Sequence, residues 1–161
     1  MAELCRVLLV DDHAIVRAGC RRLLEPTGRF QVLEAESGAE ALAMCAEHHP
    51  DVMVLDLSLP DMGGMEVIRR LRATKAQTAV LVFTMHDEAI FAVRSLEAGA
   101  QGYLTKSDSP ADLLTAIDTL IAGQSYVSHG GAPDVAVMNG CIRVVRGGAL
   151  TGGELELLAL V

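Results

Sequence analysis

The sequence predicts an α/β fold built on a doubly wound parallel sheet, and two observations predict it. Short runs rich in leucine or β-branched residues recur five times, and an amphipathic stretch follows each of them. Strands that alternate with helices pair in parallel, and their near-continuous apolar character agrees with a sheet covered on both faces. The expectation is a five-stranded, (βα)5, flavodoxin-like sheet in the order 2-1-3-4-5.

The elements follow in order. Strand one is expected at residues 6–10 and is followed by a helix at about 13–24, which carries Val16, Cys20, Leu23 and Leu24 on one face. Strand two covers 31–35, after which Ser37 and Glu40 have the spacing of a capping box for the second helix. The adjacent His48 and His49 read as a polar helix end before Pro50. Strand three, at 52–56, leads into the turn Pro60-Asp61-Met62-Gly63-Gly64, and strands four and five lie at 79–84 and 102–105. Ser109 ahead of Pro110 marks the start of the last helix, whose apolar face is Leu113, Ile117, Leu120 and Ile121.

Residues 1–123 therefore form the main domain. From Gln124 the chain is rich in Gly, Ser, Pro and Asn, which predicts a linker over 124–150. At Thr151-Gly-Gly-Glu154 a second capping-box pattern opens a helix over 151–161.

Composition narrows the function. With 161 residues, 51% hydrophobic and 21% charged, the chain suits one compact domain. No apolar run approaches the ~20 residues of a membrane helix, and the N-terminus lacks a basic leader, so a cytoplasmic location without membrane association is expected. Cys5, Cys20, Cys45 and Cys141 have no ligand spacing and read as reduced, mostly buried thiols. A net charge of -8 and 3% aromatic residues argue against nucleic-acid binding by this chain.

In an open parallel sheet, ligands bind outside the carboxyl ends of the strands. Those ends carry Asp11 and Asp12 on strand one, Asp56 on strand three and Thr84 on strand four, with Lys106 just after strand five. Three carboxylates in one crevice repel each other unless a cation offsets them, and oxygen-only ligands point to Mg²⁺. Asp12 taken alone reads equally well as a helix cap, Thr84 as a strand-end hydroxyl and Lys106 as a surface charge. None of His13, His48, His49, His86 and His129 is assigned to a metal. A carboxylate in this setting can attack a phosphoryl group, with Lys106 and the Thr84 hydroxyl offsetting the transferred charge. Asp56, alone at its strand end, is the expected nucleophile.

The segments VLLVDDHAIVRAG, DVMVLDLSLPDMGGMEVI, VLVFTMHDE and AGAQGYLTK resemble response-regulator receiver domains of two-component systems. The resemblance covers residues 6–123. It implies that Asp11, Asp12, Asp56 and the Ser58 backbone carbonyl hold Mg²⁺, and that a histidine kinase phosphorylates Asp56. Thr84 and Lys106 would bind the phosphoryl oxygens, with Tyr103 as the aromatic switch partner of Thr84. It further implies a homodimer through the face of the fourth helix, fifth strand and fifth helix. The GAQGYLTK and TMHDE forms resemble the NarL/FixJ subfamily, and ALTGGELELL is similar to the opening of a LuxR-type helix-turn-helix. DNA binding and transcription control would then need a complete output domain. The chain is expected to be a phosphorylated switch and not an enzyme. An aspartate-nucleophile phosphatase would carry an acid two residues after the nucleophile, where Ser58 stands. A pseudo-receiver would lack an acidic residue or the lysine.

Overall fold

The computed structural model describes residues 4–128 throughout and the backbone of 134–138 and 141–145. The expected helix at 151–161 lies outside the described residues. Six strands form one parallel sheet: β1 (Cys5–Val10), β2 (Phe30–Ala35), β3 (Val52–Leu55), β4 (Ala79–Thr84), β5 (Gly102–Thr105) and β6 (Tyr126–Val127). Their spatial order is β2-β1-β3-β4-β5-β6. The predicted 2-1-3-4-5 order holds, and β6 is added on the outer edge of β5.

β6 adds one short edge strand to the five expected, and short strands stand within the 124–150 segment read as a linker. Residues 126–127 are strand, and β7 (Asp134–Met138) pairs antiparallel with β8 (Cys141–Val145). Composition pointed to a linker because glycines and serines surround these short runs. A two-residue strand added to an existing edge needs little sequence signal, since β5 supplies its partners.

Among the described residues five α-helices cover the sheet: α1 (Ala14–Leu24), α2 (Gly38–His48), α3 (Gly64–Ala73), α4 (Ala89–Ala98) and α5 (Pro110–Ile121). Two apolar layers result. On one face Leu8, Val10, Met53, Leu55, Val80, Val82 and Tyr103 pack with Val67, Ile68 and Leu71 of α3 and with Ala92 and Val93 of α4. On the other, Val7, Leu9, Val54, Leu81 and Leu104 pack with Cys20 and Leu24 of α1 and with Leu113, Ile117 and Leu120 of α5. The four residues of β3 are all buried, as a central strand covered on both sides requires.

The helix ends agree with the cap signals and add to them. Ser37 Oγ accepts from the Glu40 N–H at 3.1 Å, and the Ser109 N–H donates to Asp112 Oδ2 at 3.1 Å. Asp61, which lies 23 residues after Gly38, accepts from the Gly38 and Ala39 N–H groups at 2.8 and 2.9 Å. Those bonds, the one from Ala39 foremost, hold its carboxyl below the ordinary range. α2 ends at His48, with His49 in the left-handed conformation as its C-cap. The α1 cap position is His13 and not Asp12, so the capping reading of Asp12 is set aside.

Among the described residues no helix is long and apolar enough to cross a membrane. Cys20 and Cys45 are buried and Cys5 half-buried, all unpaired, and burial pushes each thiol up to about 11. They stay protonated and unreactive at neutral pH.

Candidate functional site

The parallel register brings the carboxyl ends of β1, β3, β4 and β5 together, because Val10 pairs with Leu55 and Thr84 with Thr105. The residues just beyond those ends are Asp11, Asp56 and Lys106, with Thr84 as the last residue of its strand. Asp11 and Asp56 are each 4% exposed and Thr84 is fully buried, whereas Asp12 faces solvent at the rim.

Lys106 crosses the crevice. Its Nζ donates to Asp11 Oδ2 at 2.7 Å and lies 3.4 Å from Asp56 Oδ2. Lys106 Nζ stands over the Phe83 ring, 5.9 Å from its centroid. Burial holds the Asp56 carboxyl above its ordinary range; Lys106 opposes that shift and Asp11 adds to it. The Ser58 N–H contributes a weak bond to Asp56 Oδ1 at 3.3 Å.

The loop after β1 is fixed from two sides. The His13 N–H donates to Asp11 Oδ1 at 2.8 Å, and the buried Arg17 donates to the Asp11 carbonyl at 2.5 Å while pairing with Glu34 and Glu36. His13 Nδ1 lies 3.0 Å from one oxygen of Asp11 and 3.0 Å from one of Asp12. Sequence reasoning left His13 out of the site because no second histidine stands at ligand spacing; adjacency to the aspartates was the signal available.

Ligand atoms of Asp11, Asp12, His13 and Asp56 lie within 4.8 Å of one another. Two oxygens on opposite sides of one Mg²⁺ are about 4.2 Å apart, so small side-chain rotations would converge this set on a single ion. Three carboxylates face one ammonium here, and a divalent cation would offset the excess. The acidic cluster can hold a metal.

Beside the carboxylates, Thr84 Oγ1 accepts from the His86 N–H at 3.2 Å. The Tyr103 phenol donates to the carbonyl of the same His86, and its ring is buried. Gly64 is the remaining structural requirement. A Cβ there would lie 2.8 Å from the Asp56 carbonyl oxygen and 2.8 Å from Leu57 Cα, so only glycine lets α3 start against the loop that carries Asp56.

Residues 7–118 match the family model for the response regulator receiver domain. The chain belongs to that family. Curated relatives of this receiver include the response regulator UvrY of Escherichia coli K12, 37% identical over 132 residues, which covers 81% of this chain and 61% of the relative. The response regulator GacA of Pseudomonas viridiflava is 41% identical over 124 residues, covering 76% of this chain and 58% of that one. The chain thus spans about three fifths of the length of these curated relatives. Among solved structures, a LuxR-family two-component response regulator from Aurantimonas superposes with a TM-score of 0.73 at 44% identity, over 77% of this chain and 89% of that one. A CheY-like receiver from Methanospirillum hungatei gives 0.70 at 30% identity, over 76% and 97%. The relatives are of the NarL/FixJ type to which the motifs pointed.

Proposed function

We propose that this receiver takes a phosphoryl group on Asp56 from a sensor histidine kinase, with Mg²⁺ as the divalent ion, and that the modified state controls transcription through an output domain joined to it. The observation that supports this best is the Lys106 contact to both Asp11 and Asp56 at the carboxyl edge of the sheet. An ammonium clamped on two buried carboxylates is poised to move to phosphoryl oxygens once charge arrives there.

The geometry of the crevice and the family resemblance together support these roles. An Asp56 oxygen attacks phosphorus in line, the phosphorus bond to the donor nitrogen breaks, and an acyl phosphate forms on Asp56. Asp11, Asp12, Asp56 and the Ser58 carbonyl would hold Mg²⁺, which when bound offsets the charge of the phosphoryl oxygens. Lys106 swings from Asp56 to one such oxygen, and the Thr84 hydroxyl hydrogen is turned toward another. Ile15 and Met85, 87% and 72% exposed, lie just beyond β1 and β4 at the same end of the sheet and offer an apolar surface to an approaching kinase. Transcription control comes to this reading from a Pseudomonas aeruginosa relative, 42% identical over 125 residues, whose name describes a transcriptional regulator. DNA contact is assigned to a complete output domain and not to the receiver, whose chain has a net charge of -8.

The chain acts as the substrate of phosphoryl transfer and not as a turnover enzyme. Ser58 stands where a phosphatase would place the acid that protonates its leaving group, and it is exposed. A chromogenic phosphate monoester with Mg²⁺ separates the two readings: the receiver releases almost no product, and sustained release over many turnovers would contradict the assignment.

A further inference from the structure

His13 stands at the N-cap of α1, a position that favours a side chain able to accept a bond from the first turn of the helix. Its side chain makes no such bond. The imidazole turns instead to the two carboxylates that precede it, with Nδ1 3.0 Å from Asp11 Oδ1 and 3.0 Å from Asp12 Oδ1. The backbone sets that direction. The His13 N–H donates to the same Asp11 oxygen at 2.8 Å, and the His13 carbonyl accepts from the Arg17 N–H at 3.2 Å as α1 begins.

The two oxygens of Asp11 are divided between partners. Lys106 takes Oδ2 at 2.7 Å, while Oδ1 faces His13. One proton on Nδ1 serves one good hydrogen bond at a time, so a bond to Asp11 leaves the equal approach to Asp12 without a cause of its own. An ion pair at a ring that is 65% exposed would contribute little. The same distances suit a ligand set. Neighbouring ligands of an octahedral ion with bonds of about 2.1 Å lie about 3.0 Å apart. Nδ1 has that spacing to both aspartates, and the ligand atoms of Asp11, Asp12, His13 and Asp56 all lie within 4.8 Å of one another.

We infer that His13 is a further ligand of this metal site, through Nδ1, and that it moves the site's preference from Mg²⁺ toward Co²⁺ and Ni²⁺; this rests on the metal-assisted reading above. Mg²⁺ is a hard ion that keeps to oxygen ligands and water, whereas Co²⁺ and Ni²⁺ stand higher in the order of affinities and accept imidazole nitrogen readily. A neutral imidazole with its proton on Nε2 presents the Nδ1 lone pair to the carboxylates. The three acids alone make a site for a hard ion, and the nitrogen beside them makes it discriminate between ions of equal charge.

Metal titrations followed by NMR on the 161-residue chain, in the parent and in His13→Ala, test this. The substitution removes no capping bond, because the His13 side chain makes none. The amides of Asp11 and Asp56 report occupancy with Mg²⁺, Co²⁺ and Ni²⁺ in turn, and the His13 ring protons report ligation. Direct bonding to paramagnetic Co²⁺ should carry those ring protons far outside the diamagnetic range in the parent, and excess Mg²⁺ should reverse the change. His13→Ala should lose about tenfold in affinity for Co²⁺ and Ni²⁺ while its affinity for Mg²⁺ stays within about twofold. Equal losses for all three ions, or no loss for Co²⁺ and Ni²⁺, would overturn the assignment of His13 and leave the metal site standing. A Co²⁺-loaded parent whose His13 ring protons stay in the ordinary range would do the same. No response of Asp11 or Asp56 to any of the three ions would overturn both readings.

Discussion

Thr84 and Tyr103 are joined through one residue: the His86 N–H donates to the Thr84 hydroxyl oxygen at 3.2 Å, and the His86 carbonyl accepts from the Tyr103 phenol. A change at either side chain is therefore felt at the other through a single backbone unit. Its surroundings are also packed, since the His86 ring stacks on Phe91 of α4 with centroids 4.5 Å apart.

The first prediction follows from that link. Tyr103→Phe keeps the buried ring but removes the phenol, whose pKa burial raises well above its ordinary value. The variant should take up phosphate on Asp56 at a rate within about twofold of the parent and lose about 1 kcal/mol of stability. NMR shifts induced by beryllofluoride should then stay near Asp56 and Thr84 and no longer reach α4 and β5. A full response at α4 and β5 in the variant would show that the phenol does not carry the coupling.

Lys106→Met tests the clamp. The substitution leaves Asp11 and Asp56 buried side by side without their ammonium, and breaking a buried pair in this way costs about 3 kcal/mol. The loss should be visible in urea unfolding at neutral pH and be reduced by millimolar Mg²⁺, which would replace the missing positive charge. Phosphoryl uptake should fall steeply even where Mg²⁺ has restored stability. A variant as stable as the parent without any divalent ion would contradict the charge accounting.

Gly64→Ala should impair the site without touching a reacting group. The added methyl meets the backbone of Asp56 and Leu57, which cannot yield as a flexible side chain could. Overpacking of this kind costs about 1–3 kcal/mol, and it should displace the Asp56 loop and slow phosphorylation. The neighbouring Gly63, around which a Cβ meets nothing within 4 Å, serves as the control. Equal effects of Ala at 63 and 64 would argue against the close-approach explanation.

Stability should depend on pH through Asp56. Burial raises its carboxyl, so the native chain keeps the proton to a higher pH than the unfolded chain does. Between the unfolded and native values the native state binds more protons, and stability falls as pH rises through that window. Asp56→Asn is neutral throughout and should be more stable than the parent at neutral pH without divalent ions, by about 1 kcal/mol. The two should converge as pH drops below the unfolded carboxylate value of about 3.9. Parallel stability curves from pH 4 to 7 would contradict the desolvation of Asp56.

The sheet was legible because its strands are apolar on both faces, which no other element of this length requires; Val52 to Leu55 is the clearest case. The crevice was legible because a parallel sheet gathers whatever stands at its strand ends, and Asp11, Asp56, Thr84 and Lys106 stand there. Contacts between remote segments were not. Asp61 caps a helix 23 residues earlier, and nothing in its own neighbourhood announces that. Gly64 looks like any turn glycine until the Asp56 loop is seen against it. β6 borrows its hydrogen bonds from β5, so its two residues carry almost no strand signal of their own.

The central claim is that Asp56 is the phosphoacceptor of a metal-assisted site. Intact-mass measurement after treatment with acetyl phosphate tests it most directly, in the parent chain with Mg²⁺, in the parent with a chelator, and in Asp56→Asn with Mg²⁺. The account predicts a gain of one phosphoryl group, about 80 Da, in the first sample alone. The same gain in Asp56→Asn would place the phosphate elsewhere, and an equal gain under the chelator would remove the metal from the account.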